Sequence, residues 1–180
     1  FSQLIDREIA EAKAGRKAWM ILKCNNLTDA GMIRKLYAAS QAGVDIKLIV
    51  RGACALKAGV RGLSDRIEAF SVVGRFLEHA RVVAFGAGGK PEFYISSADW
   101  MTRNLDRRIE VSVPIYDETL QAEISAVLDF QLKDNVKSRK LDKKQRNRYV
   151  SCPDGAPRVD SHKSTYAYYK RQLQGKGLGR

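Results

Sequence analysis

Ile5, Ile9 and Ala12 recur at helical spacing and stop before Gly15, which predicts an amphipathic helix with a stop signal. The run from Ala18 to Leu22 is short and apolar, bracketed by Lys17 and Lys23, and predicts a buried strand. A second cycle follows at once. Thr28 and Asp29 can cap a helix whose apolar positions Met32, Ile33, Leu36 and Tyr37 share a face, and Gly43 ends it ahead of a strand from Ile46 to Val50. Strand, helix, strand with tight connections predicts a parallel sheet covered by helices.

Beyond Val50 the pattern changes. The stretch RGACALKAGVRGLSDR carries Gly52, Gly59 and Gly62 and fits no regular element, so it predicts a loop of functional size. Strand-like runs return at Ala69–Val73, Val82–Phe85 and Phe93–Ser96, the last two separated by the turn-forming GAGGKP. One more strand, Ile109–Pro114, leads into a helix from Asp117 with Leu120, Ile124, Val127 and Leu128 along one face. The expected fold is α/β, with a mixed, mainly parallel sheet flanked by helices over residues 1–132. Residues 133–180 read as a basic C-terminal extension, partly helical or disordered.

Charge sharpens that division. The 180 residues hold 32 Lys and Arg against 20 Asp and Glu, a formal net charge of +12. Through Leu132 there are 18 basic and 16 acidic residues, while residues 133–180 hold 14 basic and 4 acidic ones. A segment so basic and poor in aliphatic residues is expected to be a solvated or partner-ordered arm, with a polyanion as the natural partner class. Hydrophobic residues at 44% and charged residues at 29% exclude collagen-like, fully disordered and membrane-spanning classes. The chain opens on Phe1 and mixes acids with bases from its start, unlike a signal peptide, and reads as a piece of something longer. Cys24, Cys54 and Cys152 are odd in number and widely spaced, which points to reduced thiols and a cytoplasmic setting rather than a disulfide or zinc framework.

Two histidines are present. His79 lies just ahead of an apolar strand, beside Glu78 and Arg81, and on residue chemistry alone such a histidine is more often a structural hydrogen-bonding group than a catalytic or ligand contact. His162 sits in the polar extension among Ser161, Lys163 and Ser164. The stretch YISSADWMTRNLDRRIEV places Ser96 and Ser97 at the end of a strand, followed by Asp99, Arg103, Arg107, Arg108 and Glu110. Hydroxyls at a strand's carboxyl end and nearby arginines suit phosphoryl oxygens, and a turn with a surface ion-pair cluster is the alternative. Arg51, directly after a predicted strand, is well placed for an anion.

His79-x-Arg81, then Ser96-Ser97-x-Asp99, then Arg108-x-Glu110 resembles the phospholipase D superfamily pattern, with Arg81, Ser96 and Asp99 standing where lysine, glycine and asparagine are usual. One branch is closer. VRG at 50–52, GRFLEHARV at 74–82, SSADWMTRNLDRRIEV at 96–111, KCNNLTD at 23–29 and YAASQAGVDIKLIVRG at 37–52 resemble the C-terminal catalytic domain of bacterial polyphosphate kinases, over roughly Leu4 to Leu132.

That resemblance implies a phospholipase D-like fold and reversible transfer of the terminal phosphoryl group of ATP to inorganic polyphosphate. It runs through a phosphohistidine that, in the family, belongs to a preceding domain absent from this sequence. His79 matches the family's second active-site histidine and Arg51 its nucleotide-binding arginine. Arg81, Ser97, Asp99, Arg108 and Glu110 are expected supports of the phosphate subsite, Glu110 by holding the imidazole. The implied partners are ATP and ADP, polyphosphate, Mg2+ with the nucleotide, the remaining domains of the same enzyme and further copies in a homo-oligomer. Association with the inner face of the membrane is part of the same implication. A phospholipase D-type phosphodiesterase dimer stays open beside it. So does a nucleic-acid or polyanion module built on the extension, with Tyr149, Tyr166, Tyr168 and Tyr169 for stacking.

Overall fold

The computed structural model describes residues 1–175, so positions 176–180 of the basic extension lie outside the described residues. The strands are β1 (Trp19–Cys24), β2 (Asp45–Val50), β3 (Ile67–Ser71), β4 (Arg81–Phe85), β5 (Glu92–Ser96), β6 (Ser112–Ile115), β7 (Arg139–Lys140) and β8 (Arg148–Tyr149). They form one sheet in the order β6-β5-β4-β1-β2-β3-β7-β8. The helices are α1 (Ser2–Lys13), α2 (Ala30–Gln41), α3 (Thr102–Arg107), α4 (Glu118–Leu132) and α5 (Ser161–Gly175).

The sheet is mixed but mostly antiparallel, which corrects the mainly parallel expectation. Only β1–β2 and β2–β3 run parallel, while β1–β4, β3–β7, β4–β5, β5–β6 and β7–β8 are antiparallel. Connection chemistry explains the difference. The crossover helix α2 lets β2 return parallel to β1, whereas β4 and β5 are joined by a tight turn, a link open only to antiparallel neighbours. That turn takes Ala87, Gly88 and Gly89 to positive φ, and the buried Glu8 carboxylate of α1 accepts the Ala87 N–H at 2.7 Å to hold it there.

Alternation along the strands separates two apolar layers. Met20, Leu22, Ile46, Leu48, Val83 and Phe85 face Ile5 of α1 and Ile33 and Leu36 of α2. Ile49, Val82, Ala84 and Phe93 face Leu128 of α4, whose complete burial contributes about 2 kcal/mol. Of the two cap candidates, Asp29 caps α2, accepting Met32 N–H at 2.8 Å; α4 begins where expected, and Asp117 caps it through Leu120 N–H at 3.0 Å. The strand expected at Ile109–Pro114 begins later, at Ser112, leaving Ile109 fully exposed.

The extension differs most from the sequence reading. It is not a free arm: β7 pairs with the edge of β3, placing Lys140 opposite Phe70 and Arg139 opposite Ser71. Asp134, 1% exposed, accepts the N–H groups of Val136, Lys137 and Ser138 on one oxygen. Its other oxygen accepts the Ser161 N–H and hydroxyl at the start of α5. Burial alone would push this carboxyl up, but the Ser161 and Lys137 amides outweigh it and hold it below the usual carboxylate range. One well-satisfied anion thus helps to order a segment that is poor in aliphatic residues. Two of its tyrosines are also engaged: Tyr168 meets Phe130 of α4 edge-on, and the Arg139 guanidinium lies 3.8 Å over the Tyr149 ring, while Tyr166 stays exposed.

Candidate active site at the strand ends

Because β1 and β2 are parallel and β4 and β5 antiparallel to each other, the end of β1, the end of β2, the start of β4 and the end of β5 all open on one edge of the sheet. Asn25 and Asn26, Arg51, Arg81 and the Ser96–Asp99 segment are therefore neighbours, although the chain separates them widely. In open α/β sheets this edge is where ligands bind.

Asp99 is the hub. It is 4% exposed, and its Oδ1 accepts Asn25 N–H at 2.8 Å, Asn26 N–H at 3.3 Å and Arg81 Nε at 3.2 Å. Its Oδ2 accepts Asn26 Nδ2 at 3.1 Å and Arg81 Nη2 at 3.4 Å. Burial by itself raises its pKa, and the hydrogen bonds from Arg81, Asn25 and Asn26 more than reverse that, keeping the carboxyl below the ordinary range. An ionised, saturated carboxylate cannot favour a phosphate directly. Its work is to fix Arg81 and the two asparagines.

From this hub the network runs both ways. Asn25 Oδ1 accepts Arg51 Nε at 2.6 Å, and Arg81 Nη1 lies 3.2 Å from both Nδ1 and the carbonyl oxygen of His79. Among the described residues nothing accepts from the two terminal nitrogens of Arg51, and the His79 ring is exposed. Arg51 and His79 are thus joined through Asn25, Asp99 and Arg81, each reaching the surface with donor capacity to spare. Asn25 and Asn26 were not singled out from the sequence. The only signal was their place directly after an apolar strand.

Glu110 is not on the imidazole. Ser97 Oγ donates to it, Asn104 Nδ2 donates at 2.7 Å, and these two bonds hold its carboxyl below the usual range. Ser97 also accepts Val111 N–H at 3.0 Å, so the pair shapes the approach to β6. Ser96 Oγ meets Ser112 Oγ at 2.8 Å. Arg108 stands exposed beside this cluster. His162 is not in solvent: it is 8% exposed and lies against the segment preceding β4. Cys24, Cys54 and Cys152 are free, and burial pushes the Cys24 thiol well up, away from reactivity. Among the described residues no three His, Cys, Asp or Glu side chains cluster as a metal cage, and no helix is long and apolar enough to cross a membrane.

Known proteins resemble this chain over nearly its whole length. The family model described as polyphosphate kinase C-terminal domain 2 matches residues 1–162. The polyphosphate kinase of Vibrio cholerae is 51% identical over 168 residues, covering 93% of this chain and 24% of that protein. The crystal structure of polyphosphate kinase from Porphyromonas gingivalis superposes with a TM-score of 0.93 at 43% identity, over 96% of this chain and 26% of that one. Nuc, a phospholipase D family member from Salmonella typhimurium, shares the fold alone, with a TM-score of 0.51 at 15% identity, covering 74% of this chain and 88% of that one. The chain spans about a quarter of the length of the curated relatives it matches. It belongs to the polyphosphate kinase family, as a match to that family's second C-terminal domain.

Proposed function

We propose that this chain supplies one wall of a phosphotransferase site that moves the terminal phosphoryl group of ATP to inorganic polyphosphate, and back. The observation that carries the reading is the hydrogen-bonded path from Arg51 to His79 at one end of the sheet. In phosphoryl transfer, charge spreads over the nonbridging oxygens, and the protein mostly positions groups and supplies compensating charge. Arg51, its Nε held by Asn25, offers its two terminal nitrogens as a fork for ATP phosphates. His79 donates a proton or hydrogen bond to the oxygen that leaves as ADP forms. Arg81 holds the imidazole from Nδ1, the role first expected of Glu110. Asp99, Ser97 and Glu110 keep the subsite's shape, and exposed Arg108 adds positive charge at its rim.

The phosphohistidine that completes the reaction belongs to a second domain, which contacts this edge of the sheet, and the whole enzyme works as a homo-oligomer. Magnesium enters with the nucleotide. Among the described residues the site's own carboxylates are occupied by internal donors and make no cage for it, so the cation would be held mainly by the nucleotide and would supply charge compensation there.

The test is His79→Ala in a full-length polyphosphate kinase that contains this chain. The ring is exposed, so the fold should survive, while polyphosphate synthesis falls by about 100-fold to 10,000-fold. Near-normal turnover in a folded His79→Ala enzyme would overturn the assignment. Expressed alone, the chain should show no ATP-dependent chain growth.

A further inference from the structure

The segment between β3 and β4 carries His79 on no regular element, so something else must fix it. Resting on the function proposed above, we infer that Glu78 and His162 are positioning residues that hold His79 from behind. Neighbouring side chains at 78 and 79 go opposite ways. His79 reaches solvent, while Glu78 turns inward to a polar cluster drawn from three other elements.

Lys23 of β1 is 3% exposed and lies on the face covered by α4, an expensive place for a charge. Its Nζ is 3.1 Å from Glu78 Oε2, and that oxygen also accepts Gln131 Nε2 of α4 at 2.6 Å. Glu78 Oε1 lies 2.8 Å from His162 Nε2 of α5, a close electrostatic contact off the line of a regular hydrogen bond. On the other side of the same ring, Nδ1 accepts the Phe76 N–H at 3.2 Å, which places the proton on Nε2, toward the carboxylate.

The imidazole is also a steric stop. A Cβ on Gly74 would sit 2.8 Å from its Nδ1 and Cε1, and the Phe76 ring lies tilted over it with centroids 5.6 Å apart. One side chain from the extension therefore touches Gly74, Phe76 and Glu78, three residues of the segment that ends in His79. With Glu78 tied to β1 and α4 as well, the backbone at His79 is set by contacts that never reach substrate. The catalytic position thus depends on the segment that composition alone marked as a solvated tail.

The experiment is steady-state kinetics on the full-length enzyme carrying His162→Ala, His162→Gln, Glu78→Gln and the double change Glu78→Gln with His162→Ala. His162 borders an open cleft of about 370 Å³, so truncating it enlarges an existing hollow and the variant should fold. We expect kcat to drop about 100-fold in His162→Ala, the scale of a misplacement of about 1 Å in a catalytic group, with KM for ATP within about twofold. His162→Gln, whose terminal amide nitrogen stands in for Nε2, should recover at least about tenfold of that loss. The double variant should be no worse than the poorer single one, because both changes break the same support.

Leu128→Ala serves as the comparison, since it weakens the same face of the sheet without touching Glu78 or His162 and should lose stability while keeping kcat. An unchanged kcat in folded His162→Ala, losses that multiply in the double variant, or an equal kcat loss in Leu128→Ala would each overturn the inference. Wild-type transfer and its loss in His79→Ala are measured first. Failure there sinks the proposed function, and failure only in the His162 series sinks this inference alone.

Discussion

Arg51 Nε donates to Asn25 Oδ1 at 2.6 Å, and the carbonyl of the same asparagine accepts the next residue's backbone N–H, from Gly52, at 2.8 Å. One residue at the end of β1 therefore fixes both the guanidinium at the end of β2 and the chain that leaves it. The fit is close enough to demand glycine. A Cβ at position 52 would sit 2.7 Å from Asn26 Oδ1 and 2.8 Å from the Asn25 carbonyl oxygen, and a backbone carbonyl cannot swing aside.

Asn25→Ala is accordingly expected to act on ATP while leaving the arginine itself in place. A hydrogen bond to a charged group is worth about 1.5–3 kcal/mol, and about 1.4 kcal/mol is tenfold in an equilibrium constant, so KM for ATP in the full-length enzyme should rise at least about tenfold. Arg51→Ala should weaken ATP use further. ATP-saturation curves for the two variants check this, and an Asn25→Ala enzyme with the parental KM would show that the asparagine does not set the guanidinium.

The Asn25–Arg51 pair marks the border of what the sequence disclosed. Helix α2 and strands β1 and β2 were legible because buried parallel strands read as apolar runs and Asp29 is a strong cap. Strand direction was not. The run Val82–Phe85 announces a strand, but period-two patterning carries no sign, and only the tight turn after Phe85 shows that β5 must come back antiparallel. His79, Arg51 and Arg81 were legible as residues, yet Asp99 and Glu110 looked like ligands of phosphate or imidazole. Their roles depend on which donors the fold brings within hydrogen-bond distance, and that is a long-range fact. The docking of the extension on the sheet was illegible for a related reason, although part of it is helical as α5. Its order owes much to Asp134 and His162, single polar side chains whose five hydrogen bonds and two polar contacts, respectively, leave no trace in composition.

Acid should unfold the chain through its satisfied carboxylates. Asp99 and Asp134 both have folded-state pKa values lowered from the ordinary range, so the stability they contribute is fully present above the unfolded value of about 3.9 and is lost as pH falls through the lower folded value. On their account the melting temperature should be flat from about pH 7 to pH 5 and drop steeply below about pH 4. Asp134→Asn should begin less stable at pH 7, with a shallower acid slope, since it has no charge left to neutralise. Calorimetry or circular dichroism melts across that range decide the matter. Equal acid slopes in the parent and both Asn variants, Asp99→Asn and Asp134→Asn, would place the acid-sensitive groups elsewhere.

A chain ending at Leu132 keeps every strand from β1 to β6 and every residue of the proposed site, and by the charge division alone it should be a complete domain. The structure argues otherwise. The cut removes β7, exposing the edge of β3 where Phe70 and Ser71 pair, and unpaired strand edges recruit other chains. It also removes Leu141, which packs against the main apolar cluster, and His162, which closes the buried Lys23–Glu78 group. The Lys23–Glu78 pair survives the cut, but the β7 pairing, the Leu141 contact, the Asp134 hydrogen bonds and the packing of α5 on α4 are lost together, and the stability of a domain is a small difference between large terms. The truncated chain should therefore be largely insoluble or lack a cooperative urea transition, whereas a chain ending at Gly175 should show one. A soluble 1–132 chain with a cooperative transition matching the longer one would mean that the extension only decorates the sheet.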